Sequence, residues 1–301
     1  MKPITITIAL VAHNESKTIG ALLRSITLQK LPNHVKHVDT VLISDGSTDR
    51  TVDVAKSLHV KGLTILNRKT QEGKNSRLNE LFMRTNSDIT ILLDADIRFE
   101  GNLVIAKLLT PFTRSRRIGF VSGNPVPLAP QTLAGRASVN WIRTLVALRK
   151  TLRNGDNPYS ACGPIMALSK PFYKTIRLPL NVPDDRYMYF EAKNTGFEFR
   201  YAEKARVRYR SAESNGELYR QGIRYWQLYQ NLRMHFGKEI VDDAFRLPSR
   251  IRISMLVSQL VNDPAAFLYM KYLHLRILTK NHNERVDRWQ PLPTSKYIST
   301  V

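Results

Sequence analysis

The sequence predicts an α/β fold in which a mostly parallel sheet is flanked by helices. Short runs rich in branched apolar residues, each of strand length, occur at residues 4–12, 40–44, 63–67 and 89–93. Segments long enough for a helix separate these runs. Strands and helices that alternate at this spacing form right-handed β-α-β units around a parallel sheet. The run at 89–93 is dominated by branched apolar side chains, which is typical of a strand buried on both faces.

The helical segments begin at residues suited to capping. Ser16 is expected to cap the first helix, and Ser47 or Thr48 the second, which follows a turn with a glycine at position 46 and continues to about residue 59. Later elements are predicted from periodicity and from proline positions. The further predictions are helices at 16–29, 73–84, 141–152 and 214–236, a strand at 118–123 and a proline-rich connection at 125–130.

The composition is globular and strongly basic. The 301 residues include 46 Lys and Arg against 25 Asp and Glu, a net charge of +21. Because the first hundred residues carry 14 basic and 11 acidic side chains, the excess belongs to the later part of the chain. A charge of this size favours a nucleic acid, an anionic membrane or a phosphorylated ligand as a partner.

Cysteine content and hydropathy indicate where the chain works. The single cysteine, Cys162, excludes an internal disulfide and a cysteine metal cluster, and it suits a reducing compartment. The apolar run near the N-terminus has the length of a strand and lacks a cleavage pattern, so no signal peptide is expected. A later run at 253–270 is interrupted by polar residues and proline, whereas a bilayer span needs about 20 apolar residues. We therefore expect a cytoplasmic protein without a transmembrane helix.

Polar and acidic residues follow three of the predicted strands. Asn14 and Glu15 follow the first, Asp45 the second, and Asp94 and Asp96 the fourth. Because the carboxyl ends of parallel strands meet at one edge of a sheet, these side chains are expected to converge on one crevice. Two carboxylates there suit a Mg²⁺ or Mn²⁺ ion carried by a phosphorylated substrate. An isolated Asp-x-Asp is more often a solvated turn where a strand stops, so the rest of the chain must decide between the two interpretations.

The ordered set of these segments resembles the family 2 glycosyltransferases, inverting enzymes of the GT-A fold that use a nucleotide-diphosphate sugar. Val-Ala-His-Asn-Glu-Ser at 11–16 is similar to the first-strand motif, and Ile-Ser-Asp-Gly-Ser-Thr-Asp at 43–49 to the second. Gly-Lys-Asn-Ser-Arg-Leu-Asn at 73–79 is similar to the third-helix motif, and Leu-Asp-Ala-Asp at 93–96 to the Asp-x-Asp motif. The close similarity covers about the first hundred residues.

The resemblance implies roles for the residues at the strand ends. Asp45 would hydrogen-bond the pyrimidine ring of the donor, and Asn14 and Glu15 would line the base and ribose pocket. Asp96 would hold a Mn²⁺ or Mg²⁺ ion, with Asp94 beside it. The residues expected to bind the donor are Ala12, His13, Asn14, Glu15, Asp45, Lys74, Asp94, Ala95 and Asp96.

Two of these positions have ordinary alternatives. His13 stands where the family more often has an aromatic residue, and it would equally be an exposed imidazole. Lys74 would with the metal ion stabilise the charge that develops on the departing diphosphate. It is also compatible with a solvated lysine at a helix start.

The resemblance also assigns a base. An inverting transfer needs one group that takes the proton of the acceptor hydroxyl. In the family this group is the second acid of a pair that opens a helix, which makes Asp185 the candidate and Glu191 a weaker alternative. Adjacent acids are also typical helix caps. Cys162, in a segment at 160–167 that resembles the strand and turn beneath the acceptor, is expected to pack rather than to react.

A helix at 214–236 carries the expected acceptor side. Gln221, Arg224 and Tyr225 are spaced at i, i+3 and i+4, so they share one helix face. The pattern is similar to the family motif Gln-x-x-Arg-Trp, in which the arginine meets the diphosphate and the aromatic ring stacks on the acceptor sugar. Trp226 lies one position later, so either ring could form the platform. An amphipathic packing helix is the alternative.

The segment at 246–278 has two interpretations. Its apolar residues are flanked by Arg250, Arg252, Lys271 and Arg276. Such a segment can lie in the headgroup region of an anionic membrane, attached to the cytoplasmic face. It can equally complete the core.

These observations predict a donor-binding half at residues 1–124, an acceptor-binding half of the same domain at 125–237, and a C-terminal helical segment at 238–301. The expected activity is transfer of a hexose from a nucleotide sugar, taken to be a UDP-sugar, to a hydroxyl of a glycan or a lipid-linked acceptor. One alternative is a sugar nucleotidyltransferase, which would carry a glycine-rich basic loop after its first strand. The other is a basic nucleic-acid binder, favoured only by the net charge, and no nucleic-acid partner is expected.

Overall fold

The computed structural model describes residues 2–279, which form eight strands and eleven α-helices. The strands are β1 (Ile4–Ala12), β2 (Val35–Asp45), β3 (Leu63–Arg68), β4 (Ile89–Asp94), β5 (Arg98–Phe99), β6 (Ile118–Pro127), β7 (Ile165–Ser169) and β8 (Glu198–Tyr209). The helices are α1 (Ile19–Thr27), α2 (Thr51–Ser57), α3 (Lys74–Arg84), α4 (Val104–Leu109), α5 (Leu133–Thr151), α6 (Lys170–Thr175), α7 (Asp184–Asn194), α8 (Asn215–Phe236), α9 (Lys238–Phe245), α10 (Ser249–Asn262) and α11 (Pro264–Thr279). The last part of the predicted C-terminal segment, residues 280–301, lies outside the described residues.

All eight strands belong to one sheet, in the order β3-β2-β1-β4-β7-β6-β8-β5. The first four strands in this order run parallel, and β6 and β8 are also parallel, while β7 is antiparallel to both of its neighbours. The α/β prediction with a mostly parallel sheet and a helical C-terminal region is therefore confirmed. The predicted boundary at residue 124 falls within β6, so the two proposed halves share this sheet.

Helices cover both faces of the sheet. Every residue of the run at 89–93 in β4 is buried, as expected for a central strand covered on two sides. One face packs against α1 and α4 through residues such as Leu22 and Leu108, and the other packs against α3, α6 and α7 through residues such as Phe82, Phe172 and Met188. A third apolar cluster joins α5, α8 and α11. The C-terminal helices thus rest on α5.

The proline-rich connection predicted at 125–130 is wrong for its first three residues, because β6 continues to Pro127. Pro125 and Pro127 lie opposite Val207 and Tyr209 of β8. On the other edge of β6, pairing with β7 ends at Ser122. A proline whose nitrogen faces that open edge removes no ladder hydrogen bond, which is where strands tolerate proline.

Three predicted helix starts are also wrong. α2 begins at Thr51 rather than directly after Ser47 or Thr48, and its first N–H is accepted by Asp49 Oδ1 at 3.0 Å. α1 begins at Ile19 rather than after Ser16, because residues 16–18 form a turn in which the Glu15 carbonyl accepts the backbone N–H of Thr18. α5 begins at Leu133 rather than at 141, and its cap is a threonine side chain: Thr132 Oγ1 accepts the Gly135 N–H at 2.9 Å. Within residues 2–279 we find no helix that is both long and apolar enough to cross a bilayer.

Close packing at the middle of the sheet makes a prediction about Gly123. A Cβ built on Gly123 would lie 2.7 Å from Ile165 Cγ2 and 2.8 Å from the Ala205 carbonyl oxygen. Backbone cannot yield cheaply, so Gly123→Ala is expected to lower the free energy of unfolding by about 2 kcal/mol or more, measured by chemical denaturation.

Gly216→Ala is the matched control for this glycine. Its added Cβ would meet only the end of the flexible Arg220 side chain at 3.4 Å, and alanine is the better helix former by about 1 kcal/mol. Equal destabilisation by the two substitutions would contradict the packing described for β6.

Candidate active site

The carboxyl ends of β1, β2 and β4 lie at one edge of the sheet. β1 is the middle strand, with Ala12 opposite Ser44 of β2 and Val11 opposite Asp94 of β4. Asp45 therefore ends the strand on one side of β1, and Asp94 ends the strand on the other. This is the edge at which open α/β sheets bind ligands. The expected convergence of these acidic strand ends is observed.

The start of α3 bridges the two strand ends. The Gly73 N–H donates to Asp45 Oδ2 at 2.8 Å, and Lys74 Nζ donates to Asp94 Oδ1 at 2.7 Å. Lys74 Nζ also lies 2.9 Å from Asp184 Oδ2, so this ammonium is shared by two carboxylates. Burial by itself would lower the pKa of Lys74, but Asp184 and Asp94 outweigh burial and raise it. A solvated helix-start lysine is therefore excluded.

Asp45 is the anchor of the loop before α3. Its side chain is 1% exposed, and it accepts hydrogen bonds from Arg77 Nε at 2.7 Å, from the Glu72 N–H at 2.9 Å and from the Gly73 N–H. Both carboxylate oxygens are thus engaged within the protein. Its predicted contact with a nucleobase stays a prediction.

The loop after β1 is tied to the loop after β2. Asn14 adopts a left-handed backbone conformation with φ 55°, and its Oδ1 accepts the N–H groups of Thr48 and Asp49 at 2.8 and 3.2 Å. His13 Nδ1 donates to the Asp45 carbonyl at 2.7 Å, which fixes the tautomer of the ring. Glu15 is buried and accepts the Thr18 hydroxyl at 2.8 Å. These three predicted donor residues therefore lie at the same sheet edge and shape its loops.

The acidic pair at 184 and 185 opens α7, as predicted, and meets the same edge. Asp185 is buried, with Oδ2 accepting the Gly163 N–H at 3.0 Å and Oδ1 accepting the Arg186 N–H at 2.7 Å. Arg186 Nη1 lies 3.1 Å from both carboxylate oxygens. Burial raises the pKa of Asp185, and Arg186 opposes that rise. Asp185 is thus a buried carboxylate with an arginine partner.

Sequence reasoning missed two residues here, Asp184 and Arg186. Asp184 pairs with Lys74 across 110 positions of sequence, and no local pattern announces such a contact. The only signal was that both residues flank the predicted base. Cys162, by contrast, behaves as predicted: it is buried, and burial raises the pKa of its thiol, so it is a poor nucleophile.

The predicted helix at 214–236 is confirmed as α8, so Gln221, Arg224 and Tyr225 lie on one helix face. A capping box at Ser214 and Glu217 starts this helix. Gln221 Nε2 donates to the Tyr225 hydroxyl at 3.2 Å, and the Arg224 guanidinium lies 5.7 Å from the centre of the Tyr225 ring.

Both candidate aromatic platforms are accessible, and α7 packs directly on α8. Tyr225 is 52% exposed and Trp226 36%. The rings of Phe190 and Phe236 are 5.3 Å apart, which joins the helix of the predicted base to the helix of the predicted platform. Burial raises the pKa of the Tyr209 phenol, and the nearby Tyr225 and Asp96 raise this pKa further. Tyr209, at the end of β8, therefore lies within electrostatic range of both α8 and the Asp-x-Asp segment.

Residues 7–177 match the family model described as Glycosyl transferase family 2, which is more than half of the chain. The chain belongs to glycosyl transferase family 2. A curated relative, 4,4'-diaponeurosporenoate glycosyltransferase of Staphylococcus aureus, is 27% identical over 173 residues, which are 56% of this chain and 45% of the relative. The chain therefore spans about half the length of the curated relatives it matches.

Solved structures share the fold of this family 2 chain. The mannosyltransferase PcManGT of Pyrobaculum calidifontis, in complex with GDP-Man and Mn²⁺, aligns with a TM-score of 0.59 at 17% identity over 91% of this chain and 76% of that one. Glucosyl-3-phosphoglycerate synthase of Mycobacterium tuberculosis, in complex with Mn²⁺, UDP-Glc and glycerol 3-phosphate, aligns with a TM-score of 0.54 at 20% identity, over 78% and 80%. The expected GT-A fold is confirmed.

The donor set at the end of β4 fits a divalent ion that arrives with a diphosphate. Asp94 and Asp96 are both partly exposed on either side of the buried Ala95. Among residues 2–279, no group of three or more His, Cys, Asp or Glu side chains is arranged to hold an ion by itself. Mg²⁺ and related hard cations are commonly held by one or two carboxylates together with substrate phosphates. The residues present fit that kind of site.

The buried pair of Asp45 and Arg77 gives a stability prediction. Arg77→Met keeps the length of the side chain but leaves the Asp45 carboxylate buried without its cation, so we expect a loss of about 3 kcal/mol in the free energy of unfolding. The measurement is chemical denaturation.

Arg84→Met on the same helix is the control. The Arg84 side chain is 60% exposed and pairs with Glu80 at the surface, so its loss is expected to cost less than about 1 kcal/mol. If both variants unfold at the same denaturant concentration, the buried Asp45 carboxylate is not stabilised by Arg77.

Proposed function

We propose that the chain is a glycosyltransferase that moves a hexose from a nucleoside diphosphate sugar to an acceptor hydroxyl, with inversion at the anomeric carbon. One observation carries this proposal. Lys74 joins the carboxylate that ends β4 to the acidic start of α7. Lys74, a cation suited to stabilise a departing diphosphate, thus lies beside Asp185, the carboxylate suited to accept a proton. Membership of glycosyl transferase family 2 supports the same reaction class.

The donor is proposed to be a UDP-sugar. The synthase complex contains UDP-Glc and the mannosyltransferase complex contains GDP-Man, and both are hexoses on nucleoside diphosphates. The nucleobase of the donor would lie against the loops that His13, Asn14 and Glu15 shape, near the end of β2. The diphosphate would lie further along the edge, toward the end of β4 and Lys74.

The reaction is proposed to be a single displacement. The acceptor oxygen attacks the anomeric carbon on the face opposite the diphosphate, and the bond from that carbon to the diphosphate oxygen breaks. The electron pair of this bond remains on the nucleoside diphosphate, and the proton of the acceptor hydroxyl passes to Asp185. Attack on the opposite face inverts the configuration. Cys162, with its raised thiol pKa, offers no competing covalent route.

Asp185 suits the role of the base for a physical reason. A general base works best when its pKa lies near the working pH. Burial moves the pKa of Asp185 upward from the ordinary range of carboxylates, and Arg186 opposes that rise by stabilising the charged form. The Gly163 N–H and the Arg186 backbone N–H fix the orientation of the carboxylate.

Lys74, Asp94 and Asp96 are proposed to serve the leaving group. Asp96 and Asp94 would hold a Mn²⁺ or Mg²⁺ ion, which when bound would neutralise charge on the diphosphate oxygens. The ammonium of Lys74 would add a second positive charge beside the diphosphate oxygens. Because it is already held between two carboxylates, little reorganisation is needed when negative charge develops.

The acceptor is proposed to be a glycan or a lipid-linked hydroxyl compound at the cytoplasmic face of a membrane. Either of the exposed rings of Tyr225 and Trp226 offers a flat apolar surface of the kind on which a sugar ring packs. Gln221 and Arg224 add polar groups to the same helix face. A role in polysaccharide or glycolipid synthesis follows from this acceptor class.

Donor binding is tested by thermal unfolding with nucleotide sugars. UDP-glucose with Mn²⁺ is expected to raise the melting temperature by several degrees, because a ligand at 100 times its Kd stabilises the folded state by about 2.7 kcal/mol. GDP-mannose with Mn²⁺ is expected to act more weakly. Omission of the metal is expected to reduce both shifts.

Catalysis is tested by single substitutions at two carboxylates. Asp185→Asn is expected to lower kcat about 100-fold or more while the protein stays folded, because the amide oxygen can still accept the Gly163 N–H. Asp96→Asn is expected to lower transfer and to weaken the effect of Mn²⁺ on the melting temperature. Asp53→Asn, at an exposed position on α2, is the control. It should change neither the rate of transfer nor the effect of Mn²⁺ on the melting temperature.

Other outcomes would favour the two alternatives. Release of pyrophosphate from a nucleoside triphosphate and a sugar phosphate would indicate a nucleotidyltransferase. Tight nucleic-acid binding that falls steeply with salt, without any stabilisation by nucleotide sugars and Mn²⁺, would indicate a nucleic-acid binder. Full activity of both the Asp96 and the Asp185 variants would refute the proposed site.

A further inference from the structure

Helices α10 and α11 carry two exposed apolar stripes, which together we name the α10–α11 surface. Within each stripe the apolar residues are three or four positions apart or adjacent to such a position, so each stripe lies on one face of its helix. The α10 stripe consists of Ile253, Val257, Leu260 and Val261. The α11 stripe consists of Leu268, Tyr272, Leu275 and Leu278. All eight side chains are between 44% and 74% exposed.

The opposite faces of both helices pack inward on α5, so the stripes point away from it. The buried residues of α10 are Met255 and Gln259, and Gln259 Nε2 donates to Thr144 Oγ1 of α5 at 3.2 Å. The Asn140 amide of α5 donates back to the Gln259 carbonyl at 2.9 Å. α11 contributes Met270 and three other buried residues to the cluster it shares with α5 and α8. Core packing is therefore satisfied without the stripes.

The charges around the stripes are of one sign. Residues 246–279 contain five basic side chains, at 246, 250, 252, 271 and 276, and a single acid, Asp263. That acid is already neutralised: Arg136 Nε and Nη2 donate to its two oxygens at 2.7 and 2.8 Å. Arg250, Arg252 and Lys271 are exposed beside the apolar residues. The surface is therefore apolar and cationic at once.

We propose that the α10–α11 surface docks on an anionic lipid bilayer. Apolar side chains enter the boundary between headgroups and acyl chains, while the cations meet lipid phosphates. A second copy of this chain would bring like charges together around the stripes. A nucleic acid would match the cations but leave the eight apolar side chains unburied. An anionic lipid surface complements both properties.

Docking would also orient the site. α11 packs on α8 at Gly222, where a Cβ would lie 2.4 Å from Ile277 Cδ1. Gly222 is followed three positions later by Tyr225, whose ring is exposed. The helix that carries the proposed acceptor platform is thus held by the helix that meets the lipid. The inference goes beyond the proposed transfer reaction and does not depend on it.

The test is flotation of the full chain with vesicles of phosphatidylglycerol and phosphatidylcholine, without donor or acceptor. We expect strong binding to these vesicles and little binding to pure phosphatidylcholine. Arg250→Gln, Arg252→Gln and Lys271→Gln together should lower the partition coefficient about 100-fold, at about fivefold per cation. Leu268→Glu with Leu275→Glu should lower it at least about tenfold.

Matched controls carry the same changes elsewhere. Lys36→Gln, Lys56→Gln and Lys61→Gln remove the same net charge from exposed positions in the donor half. Leu28→Glu with Leu180→Glu alters two leucines that are both 71% exposed. Each control should stay within about threefold of the unchanged protein, because docking depends on local contacts.

Three results would overturn the proposal. The first is equal binding to anionic and to neutral vesicles. The second is an equal loss of binding in the control sets and the surface sets. The third is a dimer in solution that the Leu268 and Leu275 substitutions dissociate, together with no vesicle binding, which would make the surface an interface between copies. None of these readouts involves sugar transfer, so failure here is distinguishable from failure of the proposed function.

Discussion

The ammonium of Lys74 is buried between two carboxylates that come from distant parts of the chain, Asp94 at the end of β4 and Asp184 at the start of α7. Burial alone would lower the pKa of the Lys74 ammonium, and the two carboxylates outweigh that cost and raise it. The three groups are therefore interdependent, and they fix the distance between the sheet edge and α7. Asp185, one residue further on, is placed by the same interaction.

That contact is possible because the loop before α3 has a fixed shape. Gly73 has a φ of +94°, which a residue with a side chain would adopt only at a cost, and its N–H bonds the Asp45 carboxylate. Arg77, one turn into α3, bonds the same carboxylate. The conformation lets α3 begin with Lys74 aimed at β4. A buried carboxylate on β2 thus controls where a cation on another element points.

Much of this edge could be predicted from the sequence, and the missing parts have a common cause. Asp45 and Asp94 follow apolar runs, and parallel strands bring such ends together by geometry alone. Asp184 could not be matched to Lys74, because that contact depends on how β7 inserts antiparallel beside β4. The continuation of β6 through Pro125 depends likewise on where a neighbouring strand stops. Local patterns predict an element, whereas its partners are set by packing between segments far apart in sequence.

The two sides of the site differ in what holds them. The proposed donor side is built from loops that the sheet itself fixes through Asp45, Arg77 and Lys74. The proposed acceptor side stands on α8, which packs against α11 at Gly222 and Ile277 and against α7 through Phe236 and Phe190. Close-packed helices transmit displacement because their interface has no free volume to absorb it. A displacement of α8 would therefore reach Asp184 and Asp185 at the start of α7 as well as α11.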